Sequence, residues 1–422
     1  METEKKGFFQ NKIKNSLWFN FERNEIFLLL SFFFFGTAFA NYEPYAPFWL
    51  LKLFKVESFF IIGLVVIIPS IAVALGTAFW GFLADKYGTK KFVIFGIAAY
   101  AFLFFSLIFT TSAEYFLVAV LIGSLMGAAQ SSNFYALGTR TVNKPRSMVF
   151  AKMIASISLS WAIMSPFVGW INDFFQDGAM QVQLILAVVF CCISLGFSLF
   201  IKEKSSEEVN EEEINQTAVV KKKEVLTFVP LLLALLLVVA YTYQITGGFW
   251  AYTSIYFLDT LNIGGVFFSI YLIIKTLLAV PIAVLLGRVK KHNTNTLFIM
   301  IFAGWTFFSY LLMMLFPMNW IMFLLIYSIP IYPIYNVTFY SVVAKFTTKK
   351  RRATAFGIMN ALGTAGYVSG ILMLGIIADR FAKGIFVMLT VSVIFAVVAL
   401  LTTVVFYFIN RRKYHEETPE NL

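Results

Sequence analysis

Twelve apolar runs, each long enough to cross a lipid bilayer, take up most of this chain. A transmembrane helix needs about 20 apolar residues to span about 30 Å of hydrocarbon. Since 60% of the 422 residues are hydrophobic and only 13% are charged, the chain carries more apolar surface than one water-soluble globule can bury. We therefore predict an all-α membrane protein with twelve transmembrane helices. Predicted helices 1 to 12 are residues 26–48, 58–80, 91–112, 115–137, 152–171, 183–201, 227–257, 267–287, 296–316, 320–342, 354–377 and 384–409. The seventh is long enough to contain a break around Gly247-Gly248.

The distribution of Lys and Arg between the loops predicts the orientation of the chain. If the N-terminus is cytoplasmic, the external loops hold only Lys52, Lys55, Arg380 and Lys383, and the other loop cations are internal. Because cytoplasmic loops carry the excess of Lys and Arg, we place both termini in the cytoplasm and the protein in the plasma membrane. The anionic inner leaflet then accounts for the net charge of +11 without a nucleic acid partner.

Internal duplication divides the chain into two six-helix halves. An offset of 206 residues places Gly169 and Asp173 of predicted helix 5 on Gly375 and Asp379 of predicted helix 11. Repeats of this kind are typical of folds with two pseudo-symmetric halves. The predicted segments are a cytoplasmic N-terminal segment (1–25), a first half (26–201), a cytoplasmic linker (202–226), a second half (227–409) and a cytoplasmic tail (410–422).

A charged loop with two glycines lies between predicted helices 2 and 3. Residues 81–91 are Gly-Phe-Leu-Ala-Asp-Lys-Tyr-Gly-Thr-Lys-Lys. We expect Gly81 to let the end of helix 2 approach a neighbour closely, and Gly88 to supply the positive φ angle of a tight turn. The order Gly-x-Leu-Ala-Asp-Lys-x-Gly-x-Lys-Lys resembles the loop 2–3 signature of the major facilitator superfamily of secondary transporters.

This resemblance, which covers residues 26–409, implies a role for each set of helices. In the family, helices 1, 4, 7 and 10 line a central cavity, and helices 2, 5, 8 and 11 form the interface between the halves. The loop would bind the inner end of helix 11 and stabilise the state that is closed to the cytoplasm. The residues of this predicted latch are Gly81, Asp85, Lys86, Gly88, Lys90, Lys91, Arg351 and Arg352.

Two single residues and one short motif depart from the patterns of the family. Thr89 stands where the loop usually has a basic residue, which puts one latch contact in doubt. Leu121 takes the place of the helix 4 Arg of drug and proton antiporters, and their helix 5 motif Gly-Pro-x-x-Gly-Gly is replaced by Ser-Pro-Phe-Val-Gly-Trp at residues 165–170. The last two departures argue against a drug exporter.

Glu43 is the only carboxylate that we place inside an apolar run and away from its inner end. It lies in the outer part of helix 1, where Pro44 and Pro47 are expected to kink the helix and free backbone carbonyl groups. A carboxylate that is partly removed from water is a candidate for proton exchange during transport. The alternative is that Glu43 lies at the wet external mouth with a structural role only.

Lys275 is predicted near the middle of the bilayer, about 12 Å from the start of helix 8 at Phe267. A Lys at that depth costs about 2.5–3.5 kcal/mol on insertion scales, which is too much for packing alone. We predict that it faces the transport cavity and binds a substrate anion or pairs with Glu43. The alternative is a Lys that bonds carbonyl groups beside Pro281 or neighbouring hydroxyls. Lys152 lies at the inner end of helix 5 and is predicted to extend its ammonium group to the interface.

Amides and aromatic rings complete the predicted substrate site. Together they suit a small organic solute better than a bare ion. Each of them alone is weak evidence, because such a side chain can equally bond a neighbouring helix. The candidates are Asn41, Gln130, Asn133, Tyr243, Gln244, Trp250, Tyr332, Tyr335, Asn336 and Asn360.

The sequence therefore predicts a secondary active transporter that moves a small organic solute by alternating access, coupled to protons through Glu43. A proton-coupled exporter of drugs or metabolites and an uncoupled facilitator are the alternatives. A membrane enzyme is disfavoured, because His292 and His415 lie outside the membrane in this topology and the sequence shows no metal-spaced cluster or phosphate-binding loop. A sensor is also disfavoured, because a sensor is expected to carry a soluble output domain in addition to its membrane helices. No cofactor is expected, and the expected partners are the solute, the proton and the lipid bilayer.

Overall fold

The computed structural model is a bundle of long helices that follows the predicted order. It describes residues 21–142, 146–203, 229–287, 292–327, 330, 338–339, 342–343, 352–381 and 383–417. The long helices are α1 (Arg23–Tyr42), α2 (Phe59–Tyr87), α3 (Thr89–Ile108), α4 (Ala113–Thr141), α5 (Arg146–Phe175), α6 (Ala179–Leu199), α7 (Val229–Thr246), α8 (Gly265–Gly287), α9 (His292–Leu315), α10 (Trp320–Tyr327), α11 (Arg352–Ala378) and α12 (Gly384–Glu417). Shorter helical segments are Ala46–Lys52, Gln176–Gly178, Gly247–Tyr252, Thr253–Ile255 and Tyr256–Thr260.

Ten helical stretches in the described part of the chain are long and apolar enough to cross a membrane. One of them, Lys152–Leu199, contains most of α5 and all of α6, which meet at the 3₁₀ turn Gln176–Gly178. The described part of α10 covers Trp320–Tyr327. The all-helical membrane architecture is thus confirmed, whereas the count of twelve crossings and the side of each terminus stay predictions.

Two helices break where the sequence predicted irregular backbone. α1 ends at Tyr42, and the chain turns before the short helix Ala46–Lys52, which has a proline in its first turn. Proline fits there because the first N–H groups of a helix have no carbonyl partner within it. α7 gives way to the 3₁₀ turn Gly247–Tyr252, where a Cβ on Gly248 would lie 2.5 Å from the carbonyl carbon of Gly370. The break therefore places the α7 backbone directly against α11.

The predicted first half (α1 to α6) and second half (α7 to α12) contact each other along two pairs of helices, α5 with α8 and α2 with α11, as the family resemblance implied. Glycines lie where the backbones touch. A Cβ on Gly169 in α5 would lie 2.4 Å from the carbonyl oxygen of Gly265 in α8, and a Cβ on Gly375 in α11 would lie 2.9 Å from Cα of Phe60 in α2. Small residues permit this close approach of helices in a membrane. Gly169 and Gly375 are repeat partners, so the duplicated positions occupy equivalent crossings.

The two ends of the bundle are here called inner and outer. At the inner end, α1 and α3 begin beside the end of α6. Asn24 Nδ2 donates to the carbonyl oxygen of Lys202 at 3.1 Å, and the carboxylate of Glu203 accepts the backbone N–H groups of Thr89 and Lys90 at 2.9 and 3.0 Å. The outer end is the opposite one, where α2 and α8 begin.

Candidate functional site

A cavity of about 830 Å³ lies between the two halves. Its walls are formed by α1, α2, α3 and α4 of the first half and by α7 and α11 of the second half. On the outer side, α2 and α11 touch, since a Cβ on Gly63 would lie 2.9 Å from Cγ2 of Ile371. Towards the inner end the same helices are separated by the cavity, which Thr77 lines on α2 and Asn360 lines on α11. The structure is therefore closed at the outer end.

Glu43 is the only charged side chain among the described residues that line this cavity. It lies in the turn between α1 and the short helix Ala46–Lys52. The aromatic rings of Tyr42, Tyr100 and Phe104 line the cavity beside it. The ring centroids of Tyr42 and Phe104 are 5.3 Å apart. The carboxylate thus faces a space with an aromatic wall.

Lys275 lies in α8 with its ammonium group against two aromatic rings. Nζ lies 3.8 Å from the centroid of the Trp250 ring and donates a hydrogen bond of 2.9 Å to Tyr271 Oη. A cation over the face of Trp is attracted by the ring quadrupole. Glu43 and Lys275 also attract each other electrostatically, one from each half of the protein. The bond to Tyr271 agrees with the alternative interpretation of Lys275, in which the side chain bonds neighbouring hydroxyls and has a structural role.

The predicted amides fall into two groups. Gln244 and Asn360 line the cavity, on α7 and α11. Asn41, Gln130 and Asn133 are buried inside the first half. The side-chain amides of Asn41 and Asn133 each donate to the carbonyl oxygen four residues earlier in their own helix, at 2.8 Å. The structure therefore shows a local bond for these two amides and cavity exposure for Gln244 and Asn360.

The predicted aromatic residues are also dispersed. Trp250 supports Lys275 and, together with Glu43, lines a second, much smaller void. Tyr243 packs in the second half, with its ring centroid 6.4 Å from that of Phe302 and 6.2 Å from that of Phe339. The remaining candidates, Tyr332, Tyr335 and Asn336, lie outside the described residues.

The loop between α2 and α3 is described in part. Gly88 has a φ angle of 96°, which is the turn geometry predicted for it. Lys90 Nζ donates to the carbonyl oxygen of Leu199 at 2.7 Å, so this residue bonds α6 of its own half. Lys86 Nζ lies 5.2 Å from the centroid of the neighbouring Tyr87 ring. The Lys90 bond therefore holds the loop to α6.

Gly81 makes no close contact with another helix in this conformation, so its expected role stays a prediction. A Cβ built on Gly81 would meet nothing within 4 Å, because the inner part of α2 stands apart from α11 across the cavity. Lys91 is exposed. The side chains of Asp85 and Arg352 and the whole of Arg351 lie outside the described residues, so the latch to α11 stays a prediction.

Sequence reasoning missed a buried ion pair between α1 and α5. Lys152 Nζ lies 2.7 Å from Glu25 Oε1, and the two side chains are 4% and 1% exposed. The prediction that Lys152 extends to the membrane interface is wrong, because Glu25 supplies a buried partner. The ring of Phe21 lies 4.3 Å from the same ammonium group. Opposite charges at the inner ends of two predicted helices were the available signal, but they do not reveal which helices are neighbours.

Comparison with known proteins agrees with this arrangement. The profile of the Major Facilitator Superfamily matches residues 28–371, and the chain belongs to this superfamily. It is an integral membrane protein with the fold of these transporters. No curated protein sequence matches the chain.

Solved structures with the same fold cover almost the whole chain. The nucleoside transporter NupG is similar with a TM-score of 0.65 and 17% identity, over 91% of this chain and 98% of that chain. A D-xylose-proton symporter has a TM-score of 0.70 and 13% identity, over 90% and 96%. A POT family transporter in complex with 5-aminolevulinic acid has a TM-score of 0.73 and 13% identity, over 93% and 97%. At these identities the likeness shows the fold alone.

Proposed function

We propose that this protein is a secondary active transporter that moves a small organic solute by alternating access, with proton coupling through Glu43. The observation that carries the proposal is the position of Glu43 in the lining of a cavity of about 830 Å³ between the two halves. Pockets for small organic ligands have volumes of about 300–1,000 Å³. The similar D-xylose-proton symporter moves its solute together with a proton, according to its name, which supports the same kind of coupling here.

The charges on either side of the cavity suggest how a proton would act. Ionised Glu43 in the first half attracts Lys275 in the second half. Protonation of Glu43 removes this attraction and leaves Lys275 to its aromatic partners or to an anionic group of the solute. A ligand shifts a conformational equilibrium only if it binds the two conformations with different affinity. The proton meets this condition if the distance between Glu43 and Lys275 changes when the halves move.

Identification of the solute comes first in the test. Detergent-purified protein is heated with sugars, nucleosides, organic acids, amino acids and cationic drugs, because a ligand that binds only the folded state raises the apparent melting temperature. The solute found is then used in proteoliposomes with an imposed pH gradient. Uptake driven by inward proton flow identifies a symporter, and extrusion in exchange for protons identifies the exporter. Transport that does not respond to the gradient identifies a facilitator.

Two substitutions test the assigned residues in the same assay. Glu43→Gln is expected to abolish accumulation driven by the pH gradient and to leave solute exchange intact, and Lys275→Ala is expected to abolish binding or turnover. Glu57→Gln and Lys55→Ala are the matched controls, because both side chains are exposed between α1 and α2. If Glu43→Gln still accumulates solute, the proton role belongs to another residue. Normal transport by Lys275→Ala would remove Lys275 from the site.

A further inference from the structure

Two aspartates hold the outer end of the bundle closed in the same way. Asp173, at the end of α5, accepts the backbone N–H groups of Gly265 and Val266 at 2.6 and 3.0 Å. These are the first two residues of α8. Asp379, directly after α11, accepts the backbone N–H groups of the first two residues of α2, at 2.5 and 3.2 Å, and the hydroxyl of Ser58 at 2.7 Å. Each carboxylate therefore caps the start of a helix in the opposite half.

The internal duplication includes the helix starts as well as the aspartates. The offset of 206 residues that relates Asp173 to Asp379 also relates Phe59 at the start of α2 to Gly265 at the start of α8. Asp173 of the first half holds α8 of the second half, and Asp379 of the second half holds α2 of the first. This exchange is what a pseudo-two-fold axis between the halves requires. Two equivalent contacts thus close one end of the protein.

The contacts suit a closure that is both firm and reversible. The first N–H groups of a helix have no partner within the helix, and the helix dipole places partial positive charge there. Hydrogen bonds from such groups to a carboxylate are stronger than those between neutral groups. Asp173 and Asp379 are both exposed and lie beyond the predicted transmembrane spans 152–171 and 354–377, so we expect opening to transfer their charges to water and not to lipid. Release therefore carries no cost of burying an unpaired charge.

Two buried tyrosines contact the same helix starts. Tyr45 Oη donates to the carbonyl oxygen of Gly265 at 3.5 Å, and Tyr252 Oη shares its proton between the carbonyl oxygens of Ile371 at 3.0 Å and Phe59 at 3.2 Å. Both tyrosine side chains are fully buried. Each crosses from one half to the other, as the aspartates do. The start of α8 and the start of α2 are therefore each held by a carboxylate at the surface and a hydroxyl beneath it.

We propose that Asp173 and Asp379 are the paired positioning residues of an outer gate, and that both must release their helix starts each time the outer end opens. This inference rests on the alternating access proposed above. It adds a specific device at the end of the bundle opposite the loop 81–91. The two aspartates act on separate helices. The loss of one aspartate therefore weakens the gate, and the effects of losing both are expected to add.

The test measures access to the cavity from each side without any solute. Cys191 and Cys192 are replaced by Ala, and a single reporter, Val66→Cys or Thr77→Cys, is introduced into the cavity lining of α2. Val66 lies about 10 Å from the start of α2 and Thr77 about 27 Å from it. A membrane-impermeant maleimide added from the outer side measures access to Val66→Cys. The same reagent added to inside-out vesicles measures access to Thr77→Cys.

The aspartate variants have graded expected effects. Loss of a helix-capping carboxylate shifts a two-state equilibrium by about fivefold, so Asp173→Ala and Asp379→Ala are each expected to raise outer labelling of Val66→Cys about fivefold. The double variant is expected to raise the ratio of outer-open to outer-closed protein about 25-fold, which takes a minor form populated at about 4% to about half of the protein and lowers inner labelling about twofold. Asp173→Asn is expected to fall in between, because an amide oxygen still accepts one N–H group. Asp177→Ala is the matched control, since Asp177 is an exposed aspartate at the same end.

The inner reporter separates the possible outcomes. Release of the gate raises labelling at Val66→Cys and lowers it at Thr77→Cys. The gate is overturned if the double variant shows the same labelling at Val66→Cys as the Asp177→Ala control. It is also overturned if labelling rises at both reporters and the protein loses its monodisperse elution profile, because the substitutions then cause misfolding. A rise at the outer reporter with no change at the inner one supports the gate and contradicts alternating access.

Discussion

Removal of Lys152 is expected to destabilise the protein more than any other single loss of a charge discussed above. The Lys152→Met variant keeps most of the volume of the side chain but leaves the Glu25 carboxylate, whose side chain is 1% exposed, without its ammonium partner. Glu25→Gln is milder, because the amide oxygen still accepts from Lys152. The amide NH2 group cannot replace the second carboxylate oxygen, which accepts the backbone N–H of Glu22 at 3.2 Å, so that bond is lost. The double variant Glu25→Gln, Lys152→Met carries neither charge.

The size of the effect follows from the geometry of the pair. Two unit charges about 4 Å apart attract by about 4 kcal/mol at an effective dielectric constant of about 20. Loss of one partner from a buried pair costs about 3–5 kcal/mol, because the remaining charge is left in a medium that solvates it poorly. Loss of both charges is expected to change the free energy of unfolding by about 1 kcal/mol or less, since the cost of removing them from water disappears together with their attraction.

The assay is the apparent melting temperature of the detergent-purified protein. A loss of about 3–5 kcal/mol is expected to lower it by about 3–6 °C for Lys152→Met, whereas the double variant recovers most of the loss. Lys202→Met, which removes an exposed Lys from the same end of the bundle, is the control. The reasoning is refuted if Lys152→Met melts with the parent protein, or if the double variant melts as low as the sum of the two single losses.

Two further substitutions test individual contacts. Trp250→Ala removes the ring under the Lys275 ammonium group. Because cation–π contacts contribute about 0.5–2 kcal/mol, solute affinity measured by titration calorimetry is expected to weaken about twofold to 30-fold, with Trp250→Phe in between. Equal affinities of Trp250→Ala and the parent protein would exclude a role of the ring in solute binding. Ser31 and Ser194 join α1 to α6 through reciprocal hydroxyl-to-carbonyl bonds of 2.9 and 2.7 Å. Ser31→Ala is therefore expected to cost about 1–3 kcal/mol in thermal unfolding, and a variant lacking both hydroxyls to cost less than twice that amount; full additivity would show that the two bonds are independent.

The sequence predicts features that depend on neighbouring residues in the chain. Apolar runs define the helices, because each must satisfy its own backbone in lipid. The prolines after Glu43 and the Gly247-Gly248 pair mark the breaks in α1 and α7, and Gly88 marks the turn before α3. In each case the local backbone chemistry is sufficient, and the structure agrees with the prediction.

Contacts between helices were predicted less well, because one sequence does not show which faces meet. Lys152 and Glu25 are 127 positions apart, so nothing local distinguishes a paired Lys from one that extends to the interface. Asn41 was expected in the substrate site, yet its amide bonds its own helix. The duplication identified Asp173 and Asp379 as equivalent residues, but only the fold reveals the helix starts that they cap.

The length of α2 turns a small tilt into a large displacement at both of its ends. This helix has 29 residues and is therefore about 43 Å long. It is held near its first residues by Asp379 and lines the cavity at Thr77, near its far end. Once Asp379 has released the helix start, a tilt of about 10° about the middle of the helix carries each end through about 4 Å in opposite directions. The inner passage then narrows as the outer passage widens, without the unwinding of any helical turn.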